Sequence, residues 1–302
     1  MIASGRVPEE VGEGLRKGRR LCFWTLFWIG GISILMYLVM GQSQAMKTAF
    51  IEDVLSLVPS ITFLVAASLE DKAATPKFPF GFKRMNSIAF LISATALLSI
   101  GAFTAYEAIM ALIMREHPSI GAIELFGTQL WLGWVMIGAL FYSAIPPVIL
   151  GRMKKPVAES IEDKVLFTDA QTQKADWQTA LAGIVGVIGI GLGFWWADAV
   201  AALFISLSIL KDGWDNIRKS TAELADGAPR ELDSQAIDEE AEDVAKKLKE
   251  AFPKSDIRIQ ESGRYMLAEV VGPNAQGPVH LEKFRPERRS WRLAEISLVH
   301  RE

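Results

Sequence analysis

Two carboxylates stand in stretches otherwise suited to a lipid bilayer. Asp53 lies in the largely apolar run 48–68, and Asp176 lies in 166–192. An ionised side chain near the bilayer centre costs at least ~2.5–3.5 kcal/mol, so it usually faces a pathway, a cavity or a partner. A helix rises ~1.5 Å per residue through a core ~30 Å thick, which sets Asp53 ~10 Å and Asp176 ~15 Å into their segments. If the two helices run antiparallel, both acids approach the midplane. Two acids meeting there, with no arginine beside them, suggest a cation site.

Those acids need helices to carry them. The hydropathy pattern predicts about six spans: Leu21–Met40, Lys47–Ser68, Ser87–Ile113, Gln129–Leu150, Leu166–Leu192 and Phe194–Asp212. Basic residues cluster in the leading tail (Arg16, Lys17, Arg19, Arg20), after span two (Lys72, Lys77, Lys83, Arg84) and after span four (Arg152, Lys154, Lys155, Lys164). The positive-inside rule then makes both termini cytoplasmic, with span two running inward and span five outward. Asp198, after Trp195 and Trp196, reads as a helix N-cap, and the glycines of span five, Gly186 and Gly189 among them, read as close-packing positions.

The 302 residues are 50% hydrophobic and 22% charged, enough for a membrane domain and a small polar one. The expected organisation is a cytoplasmic tail, 1–20, a transmembrane domain, 21–218, and a cytoplasmic domain, 219–302. The basic residues form short clusters rather than a stripe, so no nucleic-acid partner is expected. Cys22 is the single cysteine, which excludes an intrachain disulfide and a thiolate cluster. No nucleophile–base set, His-rich cluster or Gly-rich phosphate loop argues for an enzyme.

Past Asp226-Gly227-Ala228-Pro229 the chain turns polar. Ser234 reads as an N-cap, followed by a helix with acids early, lysines late and an apolar face of Ile237, Ala241, Val244, Ala245 and Leu248. Ile257–Ile259 and Tyr265–Val271 flank a Ser262-Gly263 turn as a strand pair, and Leu293–Val299 reads as a third strand. Such a domain of about 80 residues is marginal alone, and a homodimer would support it.

Three local patterns resemble the cation diffusion facilitators, a family of divalent-metal/proton antiporters. They are Phe78–Arg84 after span two, Asp169-Ala170-Gln171-Thr172-Gln173-Lys174-Ala175-Asp176 in span five, and Trp196–Ala199 at the start of span six. Their order and spacing, rather than any one of them, carry the likeness. The resemblance implies an all-α six-helix membrane domain with a ferredoxin-like, metallochaperone-like α+β tail. It also implies divalent metal ions and protons as partners, a homodimer, and residence in the cell membrane, here a bacterial inner membrane. No cofactor is implied, since the metal is the cargo.

The resemblance also implies a tetrahedral site with two ligands each from spans two and five. The span-five pair falls on Thr172 and Asp176. Asp53 fits the second span-two position, with Ala49 at the first; taken as the first, it leaves Leu57 as the second. One span-two ligand is missing either way. Glu52 and Asp169 are candidates for a supporting or relay role. No histidine lies in any span; the chain's three are His117, His280 and His300, and the last two are expected at the surface. An oxygen donor set leans toward manganese, magnesium or ferrous iron, or toward weak selectivity among these and zinc. The expected function is proton-coupled export of a divalent metal. The alternative is a relative that no longer transports and serves as a membrane metal sensor or scaffold.

Overall fold

A computed structural model of the chain describes residues 8–39, 53–115, 122–125, 128–273, 275 and 277–301. Long helices dominate: α1 (Glu9–Val39), α2 (Val58–Glu70), α3 (Met85–Ile113), α4 (Leu132–Ser160), α5 (Lys164–Gly191) and α6 (Ala197–Leu224). Of these, α2 with its leading turn from Asp53, α3 and the Met136–Ser160 part of α4 are long and apolar enough to cross a membrane by length and composition. A short antiparallel hairpin, β1 (Ala122–Leu125) and β2 (Thr128–Trp131), lies between α3 and α4, so Gln129–Trp131, expected as the start of span four, is strand, and the helix begins at Leu132.

Several boundaries differ from the sequence expectations, each for a local reason. Helix α1 starts at Glu9, well ahead of Leu21, because Val11 and Leu15 find burial against Phe63, Ile161 and Leu166. Helix α4 continues past Leu150 to Ser160 with three prolines inside it. Residues 152–160 are therefore helix rather than an irregular connection. Helix α2 is interrupted at Leu57, just ahead of Pro59, which has no N–H to give to the preceding turn. Asp198 is not the cap of α6. It lies in the first turn, with Trp196 at the N-cap and no side-chain cap bond, and its side chain lies against Gly186 of α5.

The polar C-terminal part is α7 (Glu239–Ala251) packed on a sheet of β3 (Asp256–Ser262), β4 (Tyr265–Val271) and β5 (Leu293–Val299). Asp238, not Ser234, caps α7: its carboxylate accepts from the N–H groups of Glu240 and Ala241 at 2.9 and 3.1 Å. Ile237 stays outside the helix and is exposed. The sheet order is β3-β4-β5, with β4 antiparallel to β3 and parallel to β5. Two short 3-10 turns, Leu281–Lys283 and Ser290–Arg292, fill the crossover from β4 to β5, where a ferredoxin-like fold carries a helix.

The β3–β4 turn is pressed into the helices. Gly263 has a left-handed backbone (φ 66°), and a Cβ there would lie 2.5 Å from the Lys83 carbonyl oxygen. Its N–H donates to Ser87 Oγ at 3.1 Å. Around it, buried charges from both parts interlock. Lys164 at the foot of α5 donates to Glu223 of α6 (2.9 Å) and to Glu261 of β3. Arg264 is wholly buried and donates to Glu70, Asp163 and the Ile161 carbonyl.

Candidate functional site

The two helices that carry the paired acids meet at one polar contact. Ser60 of α2 donates to Asp169 Oδ2 of α5 at 2.6 Å. Farther along, Leu55 packs against the apolar cluster of Leu97, Ile100, Ala175 and Ile209. As the numbering falls along α2 it rises along α5, so the segments run antiparallel. Asp53 precedes Ser60 by as many residues as Asp176 follows Asp169; the first interval is broken at Leu57, and the second is about two unbroken helical turns. Both acids are partly buried. Glu52 and Ala49 lie outside the described residues.

Thr172, one turn before Asp176, is fully buried, and its hydroxyl donates to the Thr168 carbonyl at 3.1 Å. With its proton spent on the helix, its oxygen keeps lone pairs with which to accept. Among the described residues no three His, Cys, Asp or Glu side chains converge to hold a metal. His280 and His300 are exposed, as expected.

Asp169 is not an idle neighbour. Its Oδ2 accepts from Lys154 of α4 at 2.6 Å, from Ser60, and from the Cys22 thiol of α1 at 3.4 Å. Lys154 is 0% exposed, which removes it from the loop charges among which the sequence pattern grouped it. The legible signal was its spacing: Leu150, Lys154 and Ala158 recur every four residues, and all three are buried. Lys164 likewise leaves the loop for a buried ion pair. A cleft of about 590 Å³ opens between α4, α5 and α6 beside Arg152, Lys174 and Trp177, but it is lined by neither Asp53 nor Asp176.

The profile of the cation efflux transmembrane domain matches residues 21–225. That stretch spans α1 to α6. The chain belongs to the cation efflux, or cation diffusion facilitator, family. It is 24% identical over 209 residues to the manganese efflux system protein MneS of Bacillus subtilis, covering 65% of this chain and 67% of that one. It is 28% identical over 203 residues to the probable cation efflux system protein Rv2025c of Mycobacterium tuberculosis, covering 66% and 57%. To the cadmium, cobalt and zinc/H(+)-K(+) antiporter of Bacillus subtilis it is 23% identical over 181 residues, covering 58% and 52%. Membership makes this cation efflux protein a membrane transporter, in keeping with its apolar helices.

Proposed function

We propose that this chain exports a divalent metal ion from the cytoplasm in exchange for protons, with Asp53, Asp176 and Thr172 as the metal-binding groups. The observation that carries the reading is the Ser60–Asp169 contact, from which Asp53 and Asp176 are the same number of residues away on antiparallel segments. Carboxylates in a low-dielectric site bind metal when ionised and take up protons when it leaves, because burial favours the neutral form and the metal the charged one. That opposition couples the two ions. Glu52 serves as a supporting group. The ligand set is hard, so manganese, iron(II) or magnesium is the favoured cargo, and zinc is a poorer fit. The relative named for manganese efflux supports the same choice. Six spans, cytoplasmic termini, the division at about residue 218, a homodimer and residence in the cell membrane complete the reading.

Metal flux in proteoliposomes tests it. Asp53→Ala and Asp176→Ala should each abolish manganese uptake while the protein remains folded. Near-normal flux in both variants would remove the central site. An unmutated chain that moves no metal, yet binds it, would favour the sensor reading.

A further inference from the structure

Lys154 deep in the helix bundle has the surroundings of a coordinated ion. Its Nζ lies 2.6 Å from Thr25 Oγ1, 3.1 Å from Ser60 Oγ and 2.6 Å from Asp169 Oδ2. These come from α1, α2 and α5, and all four residues are 0% exposed. The hydroxyl protons are engaged elsewhere: Thr25 donates to the Leu21 carbonyl at 3.2 Å, and Ser60 donates to Asp169. Both hydroxyl oxygens thus turn lone pairs to the centre, as they would toward a metal. The centre is not saturated with donors. Asp169 Oδ1 is buried without a hydrogen-bond partner among the described residues, and so are both amide atoms of the fully buried Gln173, one turn along α5. Buried polar atoms left unpaired are costly and favour an added partner.

We propose that Lys154 is a tethered competitor cation. Its ammonium fills an oxygen cage of Thr25, Ser60 and Asp169 that would otherwise bind a divalent metal ion about two helical turns from Asp176. The inference rests on the transporter reading in placing that cage beside the transport site. By holding the cage, Lys154 denies the cargo a second stop and confines binding to one place. Without the ammonium, the remaining donors are a carboxylate with a free oxygen and two hydroxyls. They form a hard set matched to manganese or magnesium.

Equilibrium dialysis of the purified full chain against Mn2+ reads the outcome. Lys154→Met, which deletes the charge and keeps the stem, should bind one more Mn2+ per protomer than the unmutated chain and turn over more slowly in liposomes. Lys154→Arg and the double variant Lys154→Met/Asp169→Asn should bind the unmutated number. If Lys154→Met unfolds without metal, its melting temperature keeps the test open, because Mn2+ should raise it by several degrees. A Lys154→Met chain that gains no ion and is not stabilised by Mn2+ overturns the proposal and leaves Lys154 a structural pin. The extra ion should persist when Asp176→Ala is added. Loss of the transport site and loss of the cage are therefore read separately.

Discussion

Arg264, beside the C-terminal hairpin turn, grips Glu70 at the end of α2 through two hydrogen bonds of 3.0 and 2.8 Å. The same guanidinium reaches Asp163, the residue that caps α5, at 2.8 Å. One side chain from the polar domain thus holds the adjacent ends of both helices that carry the candidate metal ligands. Arg264→Met would leave two buried carboxylates without their cation. Breaking a buried pair by removing one partner costs about 3–5 kcal/mol. The variant should melt earlier and be cut faster by protease in the stretch 226–238. Unchanged cleavage and melting would show that the domain is held elsewhere.

Burial pushes the Glu261 carboxyl up to about 7, against the pull of Lys164, while neighbouring Glu223 adds to the rise. The ordinary value is 4.5, so the folded chain holds more protons than the unfolded chain between these two points. Stability from this group is therefore greatest at low pH and falls as pH rises through that window. Glu261→Gln should flatten the fall by on the order of 1–3 kcal/mol. Thermal melts at pH 5 and pH 8 check it, and an equal slope in the variant would count against it.

Gly186 of α5 faces Asp198 of α6 so closely that an added Cβ would lie 2.7 Å from the Asp198 Cα. No rotamer change relieves a backbone clash, so Gly186→Ala should lose about 1–3 kcal/mol as the helices part. Gly12 of α1 has nothing within 4 Å of the same added atom. Gly12→Ala should gain about 0.5–1 kcal/mol from helix propensity. Comparing the two melting temperatures tests the contrast.

Thr172→Val keeps the volume and deletes the hydroxyl oxygen. It should weaken manganese binding about tenfold, roughly 1.4 kcal/mol. Thr172→His should raise zinc affinity relative to manganese, because a borderline nitrogen donor replaces a hard oxygen. Calorimetric titration with both metals decides it. Tight, zinc-selective binding by the unmutated chain would mean that other donors form the site.

Much of this was legible in the residues. The strands at 265–271 and 293–299 follow from apolar patterning around the Ser262-Gly263 turn. The ion pairs were not legible. Lys154 and Lys164 look like loop charges beside a membrane; the four-residue spacing of Leu150, Lys154 and Ala158 hints at burial of the first, but its partners on α1, α2 and α5, and those of Lys164 on α6 and β3, are seen only in the packed structure. Partner choice among lysines, arginines and carboxylates far apart in the chain has no local pattern to betray it. Caps were ambiguous for a related reason: Ser234 and Asp238 are both able to cap, and the position of the apolar face, beginning at Ala241, selects the later one.

The seat of Gly263 against Lys83 and Ser87 bears on how this protein can be instrumented. Hairpin turns are ordinarily the safest places to splice in a tag or fluorescent reporter. Here the turn is the plug of a socket, and an insertion would pull the hairpin off the helices it rests on. The β4–β5 crossover, with exposed Pro278 and His280, offers the freer attachment point. A pair of labels at 280 and on the exposed Phe80 would then report whether plug and socket separate as the cation moves.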